Sequence, residues 1–195
     1  MRKAEIYRKT GETEIRISLN LDGTGKYEID TGVGFLNHML ELFARHGRFD
    51  LQVSCRGDTC VDDHHSVEDT GIALGQAFDQ ALGEKKGIRR YGQRLLPMDE
   101  ALILTAADLS GRSYLGYGLE IPAQKVGTFD TELTEEFFQG FVRSARCTLH
   151  IRQMAGTNSH HIIEGAFKSA ARALREAVEI DPALEGEIPS TKGML

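Results

Sequence analysis

Apolar positions follow two rhythms along the chain. In EIRISLNLDG (14–23), Ile15, Ile17, Leu19 and Leu21 fall at every second residue before a turn at DGTG, as in a half-buried strand. ALILTAADLSG (101–111) and YLGYGLEI (114–121) supply similar strand material. From His64 to about Leu82, Val67, Gly71, Leu74, Phe78 and Leu82 recur at helical spacing. From His160 to about Glu179, Ile163, Phe167, Ala170, Leu174 and Val178 do the same. Asp62 or Asp63 can cap the first of these helices, and Asn158 or Ser159 the second.

The rhythms repeat. NHMLELFARHGRFDLQVS (37–54) laid over EEFFQGFVRSARCTLHIR (135–152) puts Phe43 on Phe141, Ala44 on Val142, Leu51 on Leu149 and Val53 on Ile151. A two-residue gap then brings HHSVED onto HHIIEG. Each half reads as helix, turn, short strand, polar loop and second helix. The expectation is one α+β domain over 1–195, built from duplicated βα halves at about 1–92 and 93–195. Its helices should pack on one face of mostly antiparallel sheet.

Composition narrows the class. Glycine, 21 of 195 residues, is about 11% against a usual ~7%, which favours tight connections over a plain helical bundle. A net charge of -6 argues against a nucleic-acid surface. The start MRKAEIYRKT has no apolar core of a secretory signal, and no apolar run is long enough to span a membrane. Cys55, Cys60 and Cys147 are odd in number and lack CxxC pairing, as ordinary thiols in a reducing compartment would be. The expected location is cytoplasmic.

The chemistry lies in the repeated HHxxE. On a helix, Glu68 shares a side with His64 and His65, and Glu164 with His160 and His161. Adjacent histidines diverge by roughly 100° around the axis, so each pair feeds two ions rather than one. A single HHxxE at an acidic helix start would be surface chemistry; its recurrence in both halves points to metal. The repeat also sets His38 opposite Glu136. One ion could take His38, His65, Glu68 and His161, and the other Glu136, His64, His160 and Glu164. Imidazole mixed with carboxylate suits Mn²⁺, Fe²⁺ or Zn²⁺. His150, on an alternating strand, reads as structural. His46 ends a helix, where an imidazolium is favoured. Arg90, Arg112, Lys168 and the tail PSTKG lie near glycines or metal motifs and suit an anionic, phosphorylated substrate.

GFLNHMLELFARHGRFDL, DDHHSVEDTGIALGQA, LSGRSYLGY, TLHIRQMAGTNSHHIIEGAFKSAARAL and PSTKG together resemble the imidazoleglycerol-phosphate dehydratase family of histidine biosynthesis. The resemblance runs over essentially the whole chain, with no length left for the phosphatase domain fused to it in some bacteria. It implies a fold of duplicated units like the second domain of ribosomal protein S5. It also implies two Mn²⁺ per subunit, and trimers assembled into a homo-oligomer of 24 subunits with the metal sites where subunits meet. The reaction implied is removal of water from imidazole glycerol phosphate, giving an enol that tautomerises to imidazole acetol phosphate.

Carried over by motif, the ligands are His38, His64, His65, Glu68, His160, His161 and Glu164. Glu136 stands where the family often has His in EHFF. Glu12 and the helix from His38 to His46 would face substrate, with His64, Glu68 and His160 beside it. Arg90, Arg112, Lys168, Ser190, Thr191 and Lys192 would hold the phosphate. Glu12, Glu68 or Glu164 would shuttle the proton. The alternatives are a dinuclear metallohydrolase acting on a phosphorylated small molecule, which should carry an Asp-rich bridging motif absent here, and a metal-storage shell. Storage bundles use Glu-x-x-His on long helices, a poor match to HHxxE in a glycine-rich chain.

Overall fold

A computed structural model describes residues 2–184 and 186–195. The first half runs β1 (Lys3–Lys9), β2 (Thr13–Asn20), β3 (Tyr27–Asp30), α1 (Gly34–Gly47), β4 (Asp50–Gly57) and α2 (His64–Leu82). The second runs β5 (Tyr91–Met98), β6 (Ala101–Asp108), β7 (Tyr114–Gly118), a short hairpin β8 (Lys125–Val126) and β9 (Phe129–Asp130), α3 (Leu133–Ala145), β10 (Thr148–Ala155) and α4 (Ser159–Val178).

The two main sheets share one topology. Their strand orders are β1-β2-β4-β3 and β5-β6-β10-β7, antiparallel except for the pairs β3–β4 and β7–β10. Alternation decides which face is covered. Ile15, Ile17 and Leu19 of β2 and Leu51, Val53 and Cys55 of β4 point inward, and Ala101, Ile103, Leu149 and Ile151 do so in the second sheet. Each sheet is therefore covered by helices on one face, in mixed α+β architecture. α1 and α2 pack on the first sheet and α3 and α4 on the second, and the helices of one half meet those of the other, α1 against α4 and α2 against α3.

β1 and β5 escape a reading by alternation because they are edge strands. β1 buries only Ala4 fully, and β5 only Gly92. Gly92 is small for a reason. A Cβ there would press into α4 at the Ala173 carbonyl and stand 2.8 Å from Ala177 N. The α2–α3 crossing uses the same device. A Cβ on Gly71 would collide with the Phe137 carbonyl oxygen, one on Gly75 would lie 2.8 Å from Ala145 N, and one on Gly140 would lie 2.8 Å from Glu68 O. Phe43, Phe78 and Phe141 fill the space beside this crossing, with centroids 5.2–6.4 Å apart.

One buried polar cluster ties the β1–β2 hairpin to α2. Asp69, 7% exposed, accepts a 2.5 Å hydrogen bond from Thr13 Oγ1 and pairs with Arg8 at 2.5 Å. It thereby fixes Glu12, next to Thr13, relative to the HHxxE turn of α2.

Gly75→Ala is expected to lower stability by ~1–3 kcal/mol, since the backbone clash outweighs the better helix propensity of alanine. Gly11→Ala, where nothing lies within 4 Å of the added carbon, is expected to be near neutral. Asp69→Ala leaves Arg8 and Thr13 unsatisfied and should cost ~2–4 kcal/mol after allowance for Arg8's partial exposure. Urea unfolding measures all three.

Candidate metal centre and its surroundings

The crossing of α1 with α4 assembles the first cluster. His38, on the first turns of α1, meets His160 and Glu164, on the first turns of α4. His160 Nε2 lies 3.1 Å from Glu164 Oε2, and His38 Nε2 lies 3.8 Å from the same oxygen. One donor atom from each of the three falls within 4.8 Å of the others. Donors ~2.0–2.2 Å from a common ion lie up to ~4.4 Å apart, a range that includes both separations from Glu164, and two imidazoles with one carboxylate are a donor set suited to a divalent metal. Burial alone would raise the Glu164 pKa, but bonds from Lys168 and His160 outweigh it and hold the carboxyl below its ordinary range, ready as an anion. Lys168 sits one turn beyond Glu164 in close ion pairing, as the spacing implied.

The adjacent histidines split as their angular separation requires. His161 turns from the cluster to Glu100, whose carboxylate lies 2.7 Å from Nδ1, and its Nε2 is 3.8 Å from Asp99. His65 does the same in the first half, with Nδ1 3.1 Å from Asp58 and Nε2 3.7 Å from Glu12. These bonds raise both imidazole pKa values, while the bond from His161 helps draw Glu100 down to about 2. A carboxylate on Nδ1 fixes the ring and leaves Nε2 for a ligand. Glu12 and Asp99 occupy matching places, in the β1–β2 and β5–β6 hairpin turns. Asp99 adopts the left-handed backbone region, φ 50°, to do so. Asn158 caps α4, its side chain accepting from His161 N at 3.2 Å, whereas the N-cap of α2, Asp63, makes no such bond and Asp62 Oδ1 accepts from His64 N at 2.8 Å in the turn before the helix.

The first-half counterpart is more open. His64 Nε2 is 3.8 Å from Glu68, but Glu68 is also bound by Arg143 of α3 at 3.0 Å. Glu136 makes no hydrogen bond or ion pair with either among the described residues. The position matching Lys168 is Ile72, so no lysine presses this glutamate inward; Glu68 is 30% exposed where Glu164 is 8%.

The structure reverses one expectation, for His46, and places three other sets of residues. Within the chain His38 joins His160 and Glu164, not His65, Glu68 and His161, because α1 crosses α4 rather than α2. His46 is not favoured as an imidazolium: burial, Lys168 and Arg172 push its pKa down despite the helix C-terminus. His150 lies on the helix-free face of the second sheet, stacked on Tyr114 at 5.3 Å. The phosphate candidates divide into two places. Arg90 bonds Asp108 at 2.7 Å and the Pro189 carbonyl at 2.8 Å, which brings the Ser190–Thr191–Lys192 turn to it, and Arg112 lies 3.9 Å from Asp108. Lys168 is nine residues from Ala177, to whose carbonyl the Arg90 N–H bonds; that is ~13 Å along α4.

Asp58, Asp99, Glu100 and Arg143 escape sequence reading. Asp58 is one of three aspartates ahead of HHSVED, and nothing local separates it from Asp62 and Asp63. Asp99 and Glu100 reach His161 only through the β5–β6 turn, some sixty residues upstream.

The sequence pattern of the imidazoleglycerol-phosphate dehydratase family matches residues 31–174. The chain is 60% identical over its full length to an imidazoleglycerol-phosphate dehydratase of Jannaschia sp. (strain CCS1), covering all of that protein. It is 56% identical to one of Synechococcus sp. (strain WH7803), covering all of this chain and 96% of the other. Among solved structures, imidazoleglycerol-phosphate dehydratase of Staphylococcus aureus superposes with TM-score 0.84 at 43% identity, over 92% of this chain and 99% of that one. IGPD of Pyrococcus furiosus in complex with (S)-C348 superposes at 0.85 and 37%, over 97% and 100%. With the fold, the repeated HHxxE and these matches in agreement, the chain belongs to the imidazoleglycerol-phosphate dehydratase family.

Proposed function

We infer that this protein dehydrates D-erythro-imidazole glycerol phosphate to imidazole acetol phosphate and water in L-histidine biosynthesis, as a hydro-lyase of the cytoplasm. The observation that carries the reading is the trio His38, His160 and Glu164, assembled across the two halves in a chain of this family.

The trio would hold one Mn²⁺, and His64, Glu68 and Glu136 would take the equivalent role for a second. A divalent ion at an imidazole supplies the positive charge that such a ring needs when a proton leaves the neighbouring carbon. The protein's own groups do the rest. Glu12, in the hairpin turn beside His65, is the candidate base for the carbon-bound proton. The departing hydroxyl leaves as water, and the enol so formed tautomerises to the ketone. Asp58 and Glu100 hold His65 and His161 at Nδ1 so that both rings present Nε2.

The same distances support an assembly. His65 and His161 turn away from their own chain's trio, and Lys168 stands ~13 Å along α4 from the Arg90 backbone contact. Drawing Lys168 from one copy and Arg90, Arg112, Ser190, Thr191 and Lys192 from another would bring both groups onto a single small phosphorylated substrate. A homo-oligomer of trimers, 24 subunits in all, would satisfy this.

Metal-stripped protein should turn over no imidazole glycerol phosphate and regain acetol product on adding Mn²⁺. Undiminished turnover after metal removal would refute the metal role. Asp58→Ala and Glu100→Ala should each weaken Mn²⁺ binding ~10- to 100-fold in a chelator competition while leaving the fold intact. His65→Ala or Glu68→Gln should abolish turnover in protein with an unchanged circular dichroism spectrum.

A further inference from the structure

At the far ends of α1 and α4 from the trio, the surface sinks into a cavity of about 600 Å³. His46 on its rim is eight residues beyond His38, and Arg172 is eight beyond Glu164, each ~12 Å along its helix. Its lining among the described residues holds no apolar side chain. Six arginines face Glu176 and Glu179, an excess of four positive charges in a protein whose net charge is -6.

Internal partners do not consume this charge. Arg89 pairs with Glu179 at 3.4 Å, Arg175 donates to the Leu21 carbonyl at 2.8 Å, and Glu176 is occupied by the Gln93 N–H at 3.0 Å. Arg45, Arg48, Arg94 and Arg172 form no ion pair among the described residues. They come from three separate places: the end of α1 and its C-cap, β5, and the middle of α4. His46 on the rim has its pKa lowered first by burial and then by nearby charges, Arg172 and Arg45 of the cavity among them.

We propose that this arginine cavity is a binding site for a compact, multiply phosphorylated small molecule of the pyrophosphate or tripolyphosphate type. Guanidinium forks match phosphate oxygens two at a time, and a concave site of one sign concentrates the opposite charge. The volume is that of a small-molecule site. With no apolar or aromatic wall there is nothing to hold a nucleoside base, so the anion itself is recognised. Its lining shares no residue with the trio or with Arg90, Arg112 and Lys192, although Arg89 adjoins Arg90 and the resemblance gives His46 to the substrate; the proposal does not need the dehydratase reading.

Calorimetric titration of the metal-loaded, assembled protein with inorganic tripolyphosphate tests it. The probe should bind saturably, more weakly as salt is added, and ~10- to 100-fold more weakly to an Arg94→Gln/Arg172→Gln variant. Chelation of metal by the probe is common to both proteins and cancels from the difference. Arg56→Gln, on the exposed face of β4 and outside both basic regions, should leave the affinity unchanged. Absence of saturable binding to the parent protein, or equal binding to the double variant, overturns the proposal. So does a double variant that loses its assembly by sedimentation while the parent binds no probe, which would make the cavity a contact between copies. Charge-preserving Arg94→Lys/Arg172→Lys should retain part of the affinity, which separates loss of charge from loss of fold.

Discussion

The structure depends on how closely helices of opposite halves approach. α2 and α3 come within backbone contact because Gly71, Gly75 and Gly140 lack side chains there. α1 and α4 meet beside Gly47, where an added Cβ would lie 3.3 Å from the Ala171 carbonyl. Each half alone would leave one helical face uncovered. Crossing the pairs buries Phe43, Phe78, Phe137, Phe141 and Phe167 in one continuous core. It also decides which polar residues meet, because the first helix of each half is set against the second helix of the other.

That crossing turns a duplication into a site. The HHxxE motif is local, but its third partner arrives from the opposite half: His38 for one copy, with Glu136 at the matching position for the other. The halves have diverged in what surrounds the motif. Lys168 and burial compress the second-half site, whereas Ile72 and Arg143 leave the first-half site open and its glutamate shared. The angular split of adjacent histidines sends the two imidazoles of each motif to different partners: His160 to Glu164 and His161 to Glu100, His64 towards Glu68 and His65 to Asp58. An acid braces the second histidine of each, Asp58 after β4 and Glu100 in the β5–β6 turn, so the same short sequence supplies two separate surfaces.

Much of this was legible in the chain. The alternation at Ile15, Ile17 and Leu19 and the helical spacing from Val67 to Leu82 were read correctly, because both elements bury one regular face. The second motif marked His160 and Glu164, which meet His38 at the helix crossing, and Lys168 beside it pairs with Glu164. Edge strands β1 and β5 were not legible, since they bury almost nothing. The partner of His38 was not legible either, because spacing along a helix says nothing of which helix crosses it. The same limit hid Asp99 and Glu100, which reach His161 from a distant turn. Likewise His46 looked suited to a positive charge from its helix position, and burial, with the charges of Lys168 and Arg172, reverses that.

The central claim is that a metal sits where α1 of one half crosses α4 of the other. Anomalous X-ray scattering from crystals of Mn²⁺-loaded protein tests it most directly. The account predicts an anomalous peak at ordinary coordination distance, ~2.0–2.2 Å, from His38, His160 and Glu164 of one chain. Manganese bound elsewhere, with His38 bonded only to protein, would contradict it.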